Sequence, residues 1–508
     1  MTAGALPGPV DTLALRRALD ATGPIGATHR QLASVLSASE DEVQAALERW
    51  ERAGAVQRLG RGLWILRAYG TLLDREDFVE PATYTERFER ENGVAIGRYH
   101  GPITFRSNET VPVHRWWPYV QGFSAEFVRG ALGDADAGRG TTVLDPFAGS
   151  GTTLVEARRA GARALGVELL EPAVLAARVK TRFELDPRGL RQQAEATLRA
   201  SRHGPRAPLP FLRETRRQFA PAALDELLRL RAALPEGRTA VSEALRLAFG
   251  RILIPSSRLH RSPCLGYRRP GPEEGRSPSD RFAGAVATMA GDLEALRSEA
   301  ERWGPTAEVE RADARRLSVR PGSVDLAVTS PPYVNGMDYV MNYKLDLAWL
   351  AMARSYADLR RLRSLEVACD NLPRAETRAY AEVASAPDPW LPEILARVRE
   401  NVARKATYRR DDMHAIVHRY FADLRTVLAG VLRALRPGGR FVLVVGDSLL
   451  AGTYVPGDLI LARLGADLGF EIVGVEVARP RRSGQRRSFE LRESVVSLRR
   501  PARGRAAA

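Results

Sequence analysis

Two short segments of the chain carry residue types that could do chemistry. Residues 145–153 read D-P-F-A-G-S-G-T-T and follow the strand-like stretch 142–144, whereas residues 329–333 read T-S-P-P-Y and follow the strand-like stretch 324–328. Both stretches have the composition of short buried strands. The glycine-rich segment and the proline-rich segment each predict a specialised turn after such a strand. We therefore expect the two turns to face one pocket.

The glycine-rich segment has the residue types of a nucleotide-shaped pocket. Gly149 and Gly151 allow a tight strand-to-helix turn and let a ligand lie against bare backbone. Thr152 would begin a helix whose first N–H groups are free, but no lysine follows Gly151, which argues against a phosphate-binding P-loop. Glu168 ends the next strand-like stretch, 23 residues after Asp145, where a carboxylate could accept hydrogen bonds from both ribose hydroxyls. The pattern predicts a nucleoside-type cofactor.

A further acidic residue, Asp313, follows the next predicted strand, around residues 307–309. Its carboxylate could accept a hydrogen bond from an adenine amino group. The same position also suits the N-cap of a helix, so both interpretations stand at this point.

The proline-rich segment predicts a rigid polar turn. Pro331 and Pro332 stiffen the backbone and favour extended geometry in the residues before them. The carbonyls of Ser330 and Pro331, with the Ser330 hydroxyl, could then accept from an exocyclic amine. Tyr333 offers a flat face on which a heterocycle could stack. An ordinary Pro-Pro turn is the alternative, and its position opposite the glycine turn favours the functional interpretation.

These segments resemble the S-adenosylmethionine-dependent amino-methyltransferases that act on DNA. Residues 145–151 match their cofactor motif, and residues 329–333 match their catalytic motif in the S-P-P-Y form more typical of cytosine-N4 than of adenine-N6 enzymes. Residues 114–119 and 122–124 resemble the segment that closes over the methionine end of the cofactor. The continuation 334–339 resembles one group of prokaryotic members.

The resemblance implies a role for particular residues. It implies catalysis by Ser330, Pro331, Pro332 and Tyr333. It implies cofactor binding by Trp117, Ser124, Asp145, Phe147, Gly149, Gly151, Thr152, Glu168, Asp313 and Thr329. The target amine would attack the sulfonium methyl group in line, and holding the two together lowers the entropic part of the barrier. A base within a duplex would have to flip out, and Tyr333 would replace the lost stacking.

The order of the motifs departs from many cytosine-N4 enzymes, which place the catalytic motif first. Here the cofactor motif comes first, as it does in adenine-N6 enzymes and in RNA base methyltransferases. The S-P-P-Y form favours cytosine N4 over adenine N6, whereas the order of the motifs keeps adenine N6 and methylation of RNA open as alternatives. A role in modification or phage defence, with a cognate restriction or defence nuclease as partner, follows from the resemblance alone.

Elements that must position these turns alternate between strand and helix from about residue 140. This alternation predicts an α/β fold, a doubly wound, seven-stranded Rossmann-like methyltransferase sheet with helical insertions. The insertions 181–305 and 341–420 are candidate target-recognition regions. The predicted divisions are an N-terminal domain 1–70, a connector 71–110, a methyltransferase domain 111–500 and an Arg/Ala-rich tail 501–508.

The first seventy residues predict three helices and a β-hairpin, which resembles a winged helix-turn-helix. That fold often places its third helix against DNA. Here the third helix would carry Glu40, Asp41 and Glu42, which suits a phosphate-lined groove poorly, so DNA contact and docking to protein both stay open. A winged-helix DNA-binding regulator with an inactive methyltransferase domain is the alternative from another class.

The chain is strongly basic, with 76 Lys and Arg against 61 Asp and Glu and a net charge of +15. Such a charge predicts a polyanionic partner, DNA or alternatively RNA. Only three of the cations are lysines, so a G+C-rich genome is a competing explanation. Candidate nucleic-acid contacts are Arg258, Arg261, Arg268, Arg269, Arg481 and Arg482.

Composition also excludes several classes of protein. Cys264 and Cys369 are the only cysteines, too few for a zinc-finger or disulfide framework. There is no apolar run of membrane length and no signal-peptide pattern. We expect a cytoplasmic protein with S-adenosylmethionine as cofactor, without a metal and without a membrane partner.

Overall fold

The computed structural model describes residues 12–22, 27–52, 56–59, 62–66, 81–119, 122–261, 264–268, 275–299, 302–334, 338–367, 372–404, 410–482 and 490–502. In the N-terminal part, helices Thr12–Thr22, His29–Leu36 and Glu40–Arg52 accompany strands β1 (Ala27–Thr28), β2 (Val56–Leu59) and β3 (Leu63–Leu66). The strands form an antiparallel sheet in the order β1-β3-β2. These elements match the expected order, and the winged-helix assignment itself stays a prediction.

The remaining strands lie between residues 96 and 499. They are β4 (Ile96–Arg98), β5 (Thr142–Asp145), β6 (Arg163–Glu168), β7 (Leu259–Arg261), β8 (Leu265–Tyr267), β9 (Glu308–Arg311), β10 (Val324–Thr329), β11 (Leu435–Gly446), β12 (Ser448–Leu450), β13 (Thr453–Val455), β14 (Glu471–Arg482) and β15 (Glu490–Arg499). Eight of them form one sheet in the order β4-β14-β15-β11-β10-β5-β6-β9. Among the described strands of this sheet, only β15 runs against its neighbours.

The sheet has eight strands, so the predicted count of seven was wrong. The additional strand, β4, lies in the predicted connector and pairs in parallel with β14 at the sheet edge. Its three residues, Ile96, Gly97 and Arg98, are too few to show an alternating pattern. Helix-favouring and strand-favouring signals are both weak there.

Residues of β10 place their side chains in two different apolar clusters, and the pairing register shifts between Val324 and Leu326. Val324 and Ala327 pack with helices Met413–Ala434 and Gly457–Asp467, whereas Leu326 and Val328 pack with helices Ala125–Asp134 and Thr152–Arg159. The sheet is therefore covered by helices on both faces, which is the doubly wound arrangement.

Both long insertions are largely helical. The first carries helices Pro187–His203, Thr215–Gln218, Pro221–Ala233, Ala240–Leu253 and Pro278–Leu296 with the β7–β8 hairpin. The second carries helices Tyr339–Asn342, Lys344–Trp349, Tyr356–Leu365, Arg374–Thr377, Leu391–Arg404 and the start of Met413–Ala434. The other described α-helices are Pro81–Asn92 and Glu171–Lys180. The first insertion shares its apolar core with helix Glu171–Lys180, so it packs against this helix.

Asp292 fastens the first insertion to the segment before β5. Its Oδ2 accepts hydrogen bonds from Val113 N at 2.9 Å and from Trp116 Nε1 at 2.8 Å, and its carboxylate pairs with Arg115. Val113 has a φ of 69°, which is strained for a β-branched residue. The buried carboxylate of Asp292 therefore holds a strained turn in place.

No helix among the described residues is long and apolar enough to cross a membrane. The same residues contain no cluster of three His, Cys, Asp or Glu side chains that could hold a metal ion.

Candidate active site

A cavity that is partly open to solvent lies at the carboxyl ends of β5, β6 and β10. The predicted residues that line it are Asp145, Phe147, Gly149, Thr152, Glu168, Asp313, Ser330 and Pro332. Residues from both motifs therefore share one cavity, as the position of the two turns predicted.

The glycine turn is shaped by positive φ angles and close packing. Gly149 has a φ of 50° and Gly151 a φ of 86°. A Cβ on Gly149 would lie 2.9 Å from Tyr119 Cε1, and a Cβ on Gly151 would lie 2.9 Å from Ala177 Cα. Both positions require glycine for space and for conformation. Gly149 lines the cavity. Gly151 does not line it; this residue is the N-cap of helix Thr152–Arg159 and packs against Ala177 in helix Glu171–Lys180.

Asp145 joins the two motifs. Its Oδ1 accepts hydrogen bonds from Phe147 N at 3.0 Å and from Thr329 Oγ1 at 2.6 Å. Burial raises the pKa of Asp145 to about 6, although these hydrogen bonds act in the opposite direction. Thr329 is buried, and it supports the cavity through Asp145 rather than lining it.

Glu168 lies at the end of β6 with both carboxylate oxygens engaged. Oε2 accepts from Gly149 N at 2.9 Å, and Oε1 accepts from Leu170 N at 2.8 Å. Burial raises the pKa of Glu168 to about 7, and the nearby Asp145 charge acts in the same direction. Each carboxylate oxygen has a second lone pair, so Glu168 can still accept hydrogen bonds from a ligand.

Asp313 is a helix cap that also lies beside the cavity, and its contact with an adenine amine stays a prediction. It caps the 3₁₀ helix Ala314–Arg316 and also lines the cavity. Its Oδ1 accepts from Arg315 N at 3.0 Å, and its carboxylate pairs with the Arg315 guanidinium at 2.8 Å. Burial acts to raise the pKa of Asp313, but the hydrogen bonds and charge of Arg315 bring it below its ordinary value.

Trp117 and Ser124, which were expected to bind the cofactor, do not line the cavity. Trp117 is buried against helix Ala240–Leu253, where a Cβ on Gly250 would lie 2.8 Å from the indole. Ser124 caps helix Ala125–Asp134 by accepting from Phe127 N at 3.0 Å. The residues of this region that line the cavity are instead Tyr119, Gly122 and Phe123.

The catalytic segment is only partly turned toward the cavity. Ser330 and Pro332 line it, whereas Pro331 and Tyr333 do not. Tyr333 is 8% exposed, and its hydroxyl donates a hydrogen bond to Glu493. The guanidinium carbon of Arg481 lies 5.0 Å from the centroid of the Tyr333 ring. The expected open stacking face of Tyr333 is therefore covered in this structure.

The predicted basic contacts lie in different environments. Arg258 and Arg268 are exposed near the β7–β8 hairpin. Arg261 is not, because its guanidinium pairs with buried Asp346 and lies 4.2 Å from the centroid of Tyr343. Arg269 and the side chain of Arg482 lie outside the described residues.

Several cavity residues were not predicted from the sequence. Tyr119 stacks on Tyr339 and Tyr343, with centroid separations of 6.5 and 5.6 Å. Tyr119 and Tyr339 line the cavity together with the buried carboxyl of Glu366, which accepts from Val340 N at 3.0 Å. Tyr119 belongs to residues 114–119, whose resemblance to a family segment pointed to this region. Nothing in the sequence near Tyr119 indicates that Tyr339 and Tyr343 stack on it.

Comparisons with known proteins find similarity to DNA methyltransferases. The N6/N4 methyltransferase family model, described as DNA methylase, matches residues 134–178. The type II methyltransferase M.BsoBI of Geobacillus stearothermophilus is 20% identical over 452 residues, covering 78% of this chain and 88% of the relative. The type II methyltransferase M.AvaI of Nostoc sp. is 23% identical over 397 residues, covering 73% of this chain and 81% of the relative.

A solved SAM-dependent methyltransferase from Methanosarcina mazei aligns with 71% of this chain and 93% of its own at 11% identity, with a TM-score of 0.25. That score is too low to support an argument. The family-model match and the two type II relatives together support a DNA amino-methyltransferase family for this chain. S-adenosylmethionine is the cofactor that this class implies.

Proposed function

We propose that this protein transfers a methyl group from S-adenosylmethionine to the exocyclic amine of a flipped base in DNA, with cytosine N4 favoured over adenine N6. One observation carries the proposal. The hydrogen bond between Thr329 Oγ1 and Asp145 Oδ1 joins the two motif turns beside a cavity that both of them line. The S-P-P-Y form of the second motif favours cytosine.

The cavity residues fit the proposed cofactor. Gly149 leaves bare backbone at the turn, Phe147 offers an aromatic surface, and Glu168 offers acceptors for ribose hydroxyls. Asp313 could accept from the adenine amine while it keeps its ion pair with Arg315. When bound, S-adenosylmethionine supplies an electrophilic methyl group.

The remaining chemistry belongs to the turn at residues 329–333. The Ser330 hydroxyl and the carbonyls of Ser330 and Pro331 accept from the target amine and keep its lone pair on nitrogen. No side chain has to act as a covalent nucleophile. Positioning supplies the rate enhancement, because both reactants are held by one rigid pair of strand ends. The flipped base stacks on Tyr333 once that ring is uncovered.

DNA would be held by the two insertions, 181–305 and 341–420. Arg258 and Arg268 on the β7–β8 hairpin are exposed and suit contact with phosphates. The N-terminal domain would assist either by contacting DNA or by docking. A place in a restriction-modification system, beside a cognate nuclease, accords with the type II relatives.

The test uses labelled S-adenosylmethionine with duplex DNA or with RNA, followed by digestion to nucleosides and mass spectrometry. N4-methylcytosine in DNA is the expected product. Methylated RNA alone would contradict the proposal in favour of an RNA base methyltransferase. Sequence-specific DNA binding without any transfer would favour the winged-helix regulator.

A matched pair of variants links the product to the site. Ser330→Ala should remove most of the transfer while calorimetry still detects cofactor binding. Ser318→Ala, which changes an exposed serine outside the cavity, should leave transfer unchanged. Equal transfer rates in Ser330→Ala and Ser318→Ala would show that Ser330 does not contribute to methyl transfer.

A further inference from the structure

The ring of Tyr333 is enclosed on the side that β14 approaches. The Arg481 guanidinium lies over the ring, 5.0 Å from its centroid. The bare backbone of Gly446 makes the space for this arrangement. A Cβ on Gly446 would lie 3.0 Å from Tyr333 Cε2 and 3.1 Å from Arg481 Cζ. A planar cation, rather than solvent, therefore covers the aromatic face.

Within the described part of the chain, one hydrogen bond is the further contact that holds Arg481 in this position. Its Nη2 donates a hydrogen bond to the carbonyl of Asp447 at 2.8 Å. Its buried Nε has no hydrogen-bond partner, and no carboxylate pairs with it among the described residues. Nearby Arg479, on the same strand, pairs with Glu493 at 2.5 Å. A guanidinium with a buried, unpaired Nε and no carboxylate partner among the described residues is poorly compensated, which distinguishes Arg481 from a structural cation.

Resting on the function proposed above, we propose that Arg481 occupies the place of the extruded base in the free enzyme and is displaced when that base enters. A guanidinium is planar, and its N–H groups resemble those of an exocyclic amine. Its stacking on tyrosine and the stacking of a base on the same ring are interactions of comparable strength. The free energy of replacing the Arg481 guanidinium by a base on the Tyr333 ring is therefore close to zero.

The arrangement has two consequences for the reaction. The site stays closed to small amines in the absence of DNA, since no open face of Tyr333 is offered. When a base enters, the displaced guanidinium of Arg481 lies beside the DNA, where it can pair with a phosphate. Arg481 is thus a positioning residue that distinguishes a flipped nucleotide from an empty site.

The first experiment needs no DNA. Hydroxyl-radical footprinting with mass spectrometry would measure oxidation of Tyr333 in the wild type, Arg481→Ala, Arg481→Gln and Arg499→Ala. Arg499 forms an exposed ion pair with Glu471 on the same two strands, so its variant is a matched control for loss of charge. Both Arg481 variants should oxidise several-fold faster at Tyr333. Unchanged oxidation in a variant with wild-type thermal stability would overturn the proposal.

The second experiment uses the duplex sequence identified by methylation mapping, with the target base placed opposite an abasic site. Arg481→Ala should bind this duplex about tenfold more tightly than the wild type, because a cation–π contact and a hydrogen bond no longer have to break. Binding to a duplex without the target should change less than twofold. Weaker binding of every duplex would instead identify Arg481 as a phosphate contact and overturn the proposal.

These two experiments separate the proposals. If no methylated DNA is found, the proposed function fails, and footprinting still reports whether Arg481 covers Tyr333. If methylation is found but neither Arg481 variant changes oxidation or binding, the proposed function is supported. The proposal that Arg481 occupies the place of the extruded base is then wrong.

Discussion

Thr329 Oγ1 donates a hydrogen bond to Asp145 Oδ1 over 2.6 Å, between the ends of the adjacent strands β10 and β5. Both side chains are buried, at 1% exposure each. The bond fixes the spacing between the turn that would bind the cofactor and the turn that would bind the target amine. Its importance can be measured directly.

Thr329→Val keeps the shape of the side chain and removes the donor. Because Asp145 loses a buried partner, the free energy of unfolding should fall by about 1–2 kcal/mol. Methyl transfer should slow by about tenfold through misplacement of the turns. Chemical denaturation and single-turnover kinetics measure the two effects. Thr329→Ser, which retains the hydroxyl, should stay near wild type, and equal behaviour of the two variants would refute the role of this bond.

The raised pKa of Glu168 predicts a pH-dependent stability. The folded protein keeps this proton up to about pH 7, whereas the unfolded chain releases it near 4.5. The folded state therefore binds more protons between these values, and the free energy of unfolding should fall as pH rises across that window. Denaturation by urea at a series of pH values measures the slope.

Glu168→Gln should reduce this slope by the contribution of one carboxyl, and the slope that remains below about pH 6 belongs in part to Asp145, whose pKa is also raised. Glu171→Gln serves as control, since Glu171 is a partly exposed residue paired with Arg311. A slope that is unchanged in Glu168→Gln would assign the whole pH dependence to other groups. S-adenosylmethionine should also bind more tightly as pH rises through 7, when Glu168 becomes a pure acceptor.

Tyr333→Phe separates the hydroxyl of this residue from its ring. The variant leaves the Glu493 carboxylate without one buried donor, so the free energy of unfolding should fall by about 1–3 kcal/mol. Transfer should persist within about tenfold because the stacking ring remains. Tyr333→Ala should lose about a hundredfold in transfer, as expected when the stacking surface is removed.

Neither Tyr333 variant should weaken S-adenosylmethionine binding in calorimetry, because Tyr333 does not line the cavity. A comparable loss of cofactor affinity would contradict the separation of the two subsites.

Arg258 and Arg268 should contribute to DNA affinity by neutralising phosphates. Replacing both with alanine should weaken binding to any duplex and reduce the salt dependence by about two units of slope, since each phosphate left without its arginine accounts for about 0.9. Fluorescence anisotropy at several salt concentrations measures this. An unchanged salt dependence would show that Arg258 and Arg268 at the β7–β8 hairpin do not contact DNA phosphates.

Arg261→Ala provides the contrast on the same hairpin. Because Arg261 neutralises buried Asp346, its loss should lower the free energy of unfolding by about 3–5 kcal/mol. The double variant at Arg258 and Arg268 should melt like the wild type.

The sequence predicted the sheet and the turns well, because strand length, glycine spacing and the paired prolines are local signals. It failed where the decisive partner is distant in the chain. Arg261 and Arg481 read as surface charge, yet each lies against a tyrosine from another segment. Trp117 matched a motif position, but its burial depends on Gly250 in the first insertion. Such contacts arise from tertiary packing, which spacing along one segment does not encode.

The hold of Asp292 on residues 113–116 limits how this protein can diverge. An insertion that only read DNA could be exchanged between relatives as a module, and a new sequence preference would follow. Here the same helix, Pro278–Leu296, also secures the strained turn at Val113 in the segment before β5. A graft that replaces this insertion must therefore bring its own version of residues 113–116. Recombination of sequence specificity is thus constrained to exchange two stretches of chain together.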